Sequence, residues 1–133
     1  MLTTLCYKLG DKTYYALEGA VEVAGAAITW AKNIGLITSL SEVEPIASTV
    51  EDNGDIYFVP AFNGIFSPYW RDDARGLIIG IGVNTQKGHL MRAILEAPCF
   101  RTKEVVDSMV RDSNTKIANV VVDGGMSVSD MML

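Results

Sequence analysis

The stretch YFVPAFNGIFSPYWRDDARG, residues 57–76, concentrates aromatic side chains and prolines in a way that no regular element tolerates. Pro60 ends any central strand at this point, because it has no N–H to donate to a neighbour. Pro68 restricts the backbone of Ser67 to an extended conformation. The stretch therefore predicts a shaped loop, which either carries a function or covers a small core as a surface flap.

The composition is that of one domain, or part of one, with a buried core. The chain has 133 residues, of which 49% are hydrophobic, and a formal net charge of −5. These values exclude a disordered chain, and the lack of a basic cluster argues against nucleic-acid binding. No apolar run reaches the roughly 18 residues that a transmembrane helix needs. The isolated Cys6 and Cys99 favour a reducing compartment, which predicts a cytoplasmic protein.

The first third of the chain changes from a strand pattern to a helix pattern. Residues 2–9 and 13–17 predict a hairpin, with Gly10 in a turn that needs a residue tolerant of positive φ. From residue 18 to 33 the apolar side chains recur at helical spacing, and Gly35 is placed to end this helix. The apolar face of the helix is mostly alanine and glycine, so we expect its neighbours to approach the backbone closely.

The middle of the chain predicts a short helix, a buried strand and a long helix. Residues 41–44 have the spacing of a capping box that opens the short helix. Residues 76–81 form an apolar run typical of a strand covered on both faces. Thr85 can cap a long helix over residues 87–111. Pro98 should kink or divide that helix, because it removes one backbone hydrogen bond.

A strand, a glycine pair and the start of a helix close the sequence. Residues 120–122 predict a buried strand, and Gly124 and Gly125 follow before a helix that begins near Met126. Glycine at this place lets a ligand approach the backbone, and a helix N-terminus offers unpaired N–H groups to an anion. An ordinary tight turn is the alternative. Because the sequence stops inside this predicted helix, we expect it to be part of a longer protein.

No residue is singled out as catalytic or as a metal ligand. His89 is the only histidine and has no neighbouring His or Cys, so we expect an imidazole at or near a helix surface. Gly80 and Gly82 resemble the start of a dinucleotide turn, but the third glycine is missing. The charged cluster at residues 71–75 is expected to pair internally.

Four segments follow one another along the chain and carry a family resemblance. They are YALEGAV at 15–21 with Ala24-Gly25-Ala26 and Trp30; FVPAF at 58–62 with Gly64, Pro68-Tyr69-Trp70 and Ala74-Arg75-Gly76; Gly76, Ile78 and Gly80 with His89-Leu90 and Ala93-Ile94-Leu95-Glu96; and VDGGMS at 122–127. Together they resemble the carboxyl-terminal domain of the FGGY carbohydrate kinases, and of the glycerol kinases within that family. The resemblance covers almost the whole chain.

The resemblance implies an α/β fold of the ribonuclease-H-like, actin-like ATPase type, with an incomplete mixed sheet and flanking helices. Residues 1–133 would form the nucleotide-binding side of a partial carboxyl-terminal domain, without the amino-terminal catalytic domain. The implied reaction transfers the γ-phosphoryl group of ATP to glycerol, with Mg²⁺ and positioning supplying most of the catalysis. The missing part would contact glycerol and the metal and would hold the catalytic aspartate.

Candidate nucleotide contacts follow from the resemblance and from the glycine pair. They are Gly25 and Thr29 on the first helix, and Gly124, Gly125 and Ser129 after the last strand. Many relatives have glutamine in place of Thr29 and asparagine in place of Ser129. These differences imply rearranged hydrogen bonds to ATP or ADP.

Three alternatives stay open. The parent protein could phosphorylate another sugar, or it could be a non-catalytic binding or regulatory module derived from a kinase. The segment could also bind no ligand at all. Assembly into a homo-oligomer is a further possibility.

Overall fold

A computed structural model describes residues 1–127 and 129–132. Within them a hairpin is followed by helices and short strands, in agreement with the predicted α/β class. The elements are β1 Leu2–Leu9, β2 Lys12–Glu18, α1 Gly25–Asn33, a 3-10 turn Leu40–Glu42, α2 Val43–Ala47, β3 Tyr57–Val59, β4 Leu77–Ile79 and α3 Lys87–Ser113.

The strands form two small antiparallel sheets in the described part of the chain. β1 pairs with β2, with Leu2 opposite Glu18 and a bulge between Leu5 and Tyr7. β3 pairs with β4 over three residues of each strand. The predicted hairpin is confirmed, and Gly10 has a φ of +58° in its turn, a conformation that favours glycine.

The core lies where α3 packs against α1, α2 and β3. Met91, Ile94 and Leu95 of α3 are each at most 3% exposed. Ala27 and Ala31 of α1 are fully buried, and their small side chains allow the close approach that the sequence predicts. Burial of these apolar side chains is the main favourable term in folding.

Helix α1 is shorter than the prediction. It begins at Gly25 rather than at Glu18, and it ends before Gly35, whose φ is +80°. Glu18 is the last residue of β2, because it pairs with Leu2 of β1. Pairing in the hairpin therefore overrides the helical period at Glu18. Residues 19–24, between β2 and α1, are irregular.

The capping box predicted at residues 41–44 is not formed. Helix α2 has Glu42 at its N-cap position and no side-chain cap. Glu42 instead accepts hydrogen bonds from the Thr38 N–H, at 3.1 Å, and from the Thr38 hydroxyl. Glu44 accepts a hydrogen bond from Ser129, near the end of the chain. Glu44 thus bonds a residue far along the chain instead of taking part in a cap of α2.

Helix α3 is not divided at Pro98, which lies inside the continuous helix and is buried. The Thr102 hydroxyl donates to the Pro98 carbonyl at 2.8 Å. Packing of the buried side of α3 offsets the one backbone bond that proline removes. The N-cap is Gln86 rather than Thr85, and the Gln86 N–H donates to Nδ1 of the half-buried His89 at 3.0 Å. The expectation for His89 is confirmed.

Two predicted buried strands differ from the structure. β4 is limited to Leu77–Ile79, and its first and last residues are about half exposed, at 51% and 49%. Residues 120–122 are exposed and are not a strand. A strand needs a neighbour for its backbone hydrogen bonds, and no strand in the described part of the chain pairs with these residues.

The helix predicted to begin near Met126 is replaced by turns. The Ser127 N–H donates to the Gly124 carbonyl at 3.1 Å, a bond typical of a single tight turn. Val128 and Leu133, which the same prediction includes, lie outside the described residues.

The aromatic stretch is irregular over residues 60–76, as predicted, whereas its first three residues form β3, and the stretch packs against the core. Phe62 packs against Trp30 of α1, with ring centroids 5.7 Å apart. Arg101 of α3 donates to the Ser67 carbonyl at 2.6 Å. The charged cluster at residues 71–75 pairs internally, as expected. This part of the molecule therefore covers one side of the core.

Candidate functional site

A pocket of about 540 Å³ lies between α1, α2, α3 and the turns near the end of the chain. Small-molecule sites commonly measure roughly 300–1,000 Å³, are mostly apolar and carry a few polar groups. The pocket fits that description. Its lining residues are Gly25, Ile28, Thr29, Leu40, Ser41, Val43, Glu44, Pro45, Leu95, Gly125, Met126, Ser129 and Met132.

Most of the candidate nucleotide contacts line this one pocket. Gly25 and Thr29 reach it from the first turns of α1, and Gly125 and Ser129 reach it from the turns near the end of the chain. The two segments meet closely, since a Cβ on Gly25 would lie 3.9 Å from Met126 Sδ. The fold therefore brings together residues that are far apart in the sequence. Their contact with a nucleotide stays a prediction.

Gly124 precedes the pocket rather than lining it. Its φ is +100°, which favours glycine, and its N–H donates to Asp123 Oδ1 at 2.6 Å. Among the described residues, a Cβ on Gly124 or on Gly125 would meet no heavy atom within 4 Å. The backbone of the glycine pair is therefore open to a ligand.

The hydroxyl groups of the exposed Thr29 and the buried Ser129 both donate to acceptors within the chain. Thr29 Oγ1 donates to the Gly25 carbonyl at 3.4 Å, within α1. Ser129 is only 9% exposed, and its hydroxyl donates to Glu44 Oε1. Both residues line the pocket, and Ser129 is the more firmly held of the two.

The two sides of the pocket differ in electrostatic character. Helix α1 begins at Gly25 with no side-chain cap and no acidic residue in its first turn, so the positive end of its dipole is uncompensated there. Glu44, beside Ser129, is the one charged side chain among the described lining residues.

Glu44 is the site residue that sequence reasoning missed. The local pattern assigned it to a capping box with Ser41, whereas its partner Ser129 is 85 positions away. No local signal in the sequence could have shown this pairing, because it depends on how α2 packs against the end of the chain.

The described part of the chain offers no group of three His, Cys, Asp or Glu side chains that could hold a metal ion. Within residues 1–127 and 129–132, no helix combines the length and the apolar character needed to span a membrane.

The sequence matches the FGGY family of carbohydrate kinases, C-terminal domain, over residues 2–133. The chain therefore belongs to the FGGY carbohydrate kinases. The predicted family is confirmed, and with it the ribonuclease-H-like α/β fold, of which this chain is an incomplete part.

Glycerol kinases are among the most similar relatives. The glycerol kinase of Chloroflexus aurantiacus is 53% identical over 135 residues, and that of Clavibacter michiganensis is 50% identical over 135 residues. Each alignment covers 100% of this chain and 27% of the relative. The chain thus spans about a quarter of the length of these relatives.

Solved structures show the same fold. The crystal structure of Plasmodium falciparum glycerol kinase with ADP matches with a TM-score of 0.89 and 40% identity, covering 98% of this chain and 26% of that chain. Xylulose kinase from Lactobacillus acidophilus matches with a TM-score of 0.69 and 28% identity, covering 80% of this chain and 22% of that chain.

Proposed function

We propose that this chain supplies the nucleotide-binding side of an ATP-dependent glycerol kinase. The full-length protein would transfer the γ-phosphoryl group of ATP to a hydroxyl of glycerol, giving glycerol 3-phosphate, in the cytoplasm. The chain spans 27% of its glycerol kinase relatives. The catalytic base, the glycerol contacts and the Mg²⁺ ligands would therefore come from the remaining part of the protein.

The observation that carries the proposal is the convergence of two distant segments at one open pocket. Gly25 and Gly125 let a ligand approach the backbone without a side chain in the way. The uncapped N-terminus of α1 suits an anionic group such as a phosphate. A relative with the same fold is an ADP complex, which supports a nucleotide as the ligand. Bound ATP would supply the phosphoryl group, while these residues hold and orient it.

Sequence similarity supports glycerol as the acceptor. The chain is 53% identical to a glycerol kinase but 28% identical to a xylulose kinase of the same fold. Acceptor choice is nevertheless a property of the whole protein, since specificity depends on the site rather than on the fold.

A matched pair of glycine substitutions tests the pocket. In Gly125→Val the new Cβ would meet no heavy atom of residues 1–127 and 129–132 within 4 Å, so we expect the substitution to fill part of the pocket without displacing these residues. We expect the Kd of the full-length protein for ATP and ADP to rise about tenfold or more, measured by isothermal titration calorimetry. Gly82→Val is the control, because a Cβ there is equally unobstructed and lies outside the pocket lining. Equal nucleotide affinity in the two variants would contradict the assignment.

Turnover of the full-length protein tests the acceptor. A coupled assay of ADP release should show faster turnover with glycerol than with D-xylulose. Faster turnover with the pentulose would instead favour another sugar kinase. Nucleotide binding without turnover on either acceptor would favour a non-catalytic module.

A further inference from the structure

We infer that Glu44 selects the base of the bound nucleotide, by accepting a hydrogen bond from the 6-amino group of adenine. The inference rests on the proposed nucleotide function and extends it to base specificity. Glu44 lies in the pocket wall, where it is the one charged side chain among the described lining residues.

A neighbouring hydroxyl positions the Glu44 carboxylate. Ser129 donates to Oε1 of Glu44, and Ser129 is 9% exposed, so water competes little for this bond. Within residues 1–127 and 129–132, the second oxygen, Oε2, accepts no hydrogen bond. A carboxylate can only accept hydrogen bonds, and it can do so through both oxygens. Oε2 of Glu44 is therefore a positioned hydrogen-bond acceptor for a ligand in the pocket.

Charge determines which part of a nucleotide can lie beside Glu44. Phosphates would be repelled by the carboxylate and attracted to the uncapped N-terminus of α1 at Gly25. This arrangement directs the base toward Glu44. Leu40, Val43 and Pro45 also line the pocket, and their apolar side chains suit the face of a purine ring.

A fixed acceptor distinguishes adenine from a 6-oxo purine. Adenine carries an amino donor at C6, whereas hypoxanthine carries a carbonyl oxygen there. That oxygen would place its lone pairs against the carboxylate, which costs more than a lost contact. The N1–H donor of hypoxanthine lies on the neighbouring ring atom, so it reaches a carboxylate held by Ser129 only if the base shifts from the position of adenine. ATP should therefore bind more tightly than ITP.

The test compares ATP with ITP in the full-length protein by isothermal titration calorimetry. Glu44→Gln keeps an oxygen for the Ser129 hydroxyl but replaces the other oxygen with an N–H donor, which suits a 6-oxo purine. We expect the preference for ATP over ITP to fall by about tenfold or more. Glu42→Gln is the matched control, because it removes the same charge from a residue that bonds Thr38 and lies outside the pocket lining. The ratio of ATP to ITP affinity in Glu42→Gln should equal that of the wild type.

The outcomes separate this inference from the proposed function. If the wild type binds ATP and the ratio of ATP to ITP affinity is unchanged in Glu44→Gln, the role of Glu44 is overturned while nucleotide binding stands. An equal loss of affinity for ATP and ITP also overturns the role of Glu44 in base selection. The carboxylate would then contact the ribose or only stabilise the pocket wall. If the wild type binds no ATP, both proposals are overturned.

A second variant covers the case in which Glu44→Gln fails to fold. Ser129→Ala removes the bond that positions the carboxylate and leaves the acceptor in place. It should lower the ratio of ATP to ITP affinity by a smaller factor, and an unchanged ratio would overturn the inference.

Discussion

The core around α3 and the β1–β2 hairpin are both rich in apolar residues, yet they differ sharply in burial. In the core, Met91 is 0% and Ile94 1% exposed, whereas in the hairpin Leu5 is 62% and Leu9 71% exposed. Apolar composition alone does not bury a side chain, because a second layer must cover it. Helix α3 has such a layer in α1, α2 and β3. The hairpin is a two-stranded sheet whose strands pair only with each other in the described part of the chain, and every residue of β1 and β2 is exposed or half-exposed.

The largest effect is expected from opening the core. Ile94→Ala removes a side chain that is 1% exposed, so it should lower the free energy of unfolding of the 133-residue chain by about 2–5 kcal/mol. Urea denaturation followed by circular dichroism measures the change. Leu5→Ala in the hairpin is the matched control, with an expected change within about 0.5 kcal/mol. Similar losses in both variants would show that the hairpin is packed as well as the core.

A second comparison uses one cation in each region. Arg101 in α3 and Lys12 in β2 lie over the rings of Tyr69 and Tyr14, at 5.4 Å and 4.8 Å. Arg101→Met also leaves the carbonyl of the fully buried Ser67 without its donor, so it should cost about 1–3 kcal/mol of unfolding free energy. Lys12→Met loses only an exposed contact and should cost less, about 0.5–1 kcal/mol at most. Equal costs in urea denaturation would contradict the comparison.

The two regions also carry one free cysteine each, Cys6 exposed in β1 and Cys99 half-buried in α3. Burial raises the pKa of the Cys99 thiol, and the Glu96 carboxylate raises it further. A raised pKa lowers the fraction of reactive thiolate at a given pH. Cys99 should therefore react several-fold more slowly than Cys6 with iodoacetamide at pH 8 and should need a higher pH to reach its full rate. Mass spectrometry of the Cys99→Ser variant measures the rate at Cys6, and that of Cys6→Ser measures the rate at Cys99. Equal rates would contradict the slower reaction expected of the half-buried thiol.

The smallest effect on stability is expected at the hairpin surface. Leu9→Lys replaces a side chain that is 71% exposed, so the unfolding free energy should change by less than about 0.5 kcal/mol. It should nevertheless reduce self-association of the 133-residue chain, because an open apolar strand edge favours pairing between copies. Sedimentation velocity over a range of concentrations detects this. Ile34→Lys, at a position 55% exposed outside the hairpin, should leave association unchanged. The same reduction in both variants would argue against the hairpin as its cause.

The elements that could be predicted are those that depend on neighbours in the chain. The hairpin follows from two β-rich runs joined at Gly10, and α3 follows from the helical period of residues 87–111, although its continuity at Pro98 was shown only by the structure. The prediction failed where distant contacts decide the outcome. Glu18 joins a strand because Leu2 lies opposite it, and residues 120–122 are not a strand because no strand in the described part of the chain pairs with them.

In the candidate site too, some features follow from the sequence and others appear only in the structure. The family resemblance was enough to mark Gly25 and Gly125, and the adjacent glycines at 124 and 125 by themselves indicated a backbone that a ligand could approach. Only the folded chain showed that these glycines line one pocket, and that Glu44 bonds Ser129 instead of capping α2. Turns and helices depend on sterics and hydrogen bonds over a few residues, whereas a pocket depends on the packing of segments that are far apart in the chain.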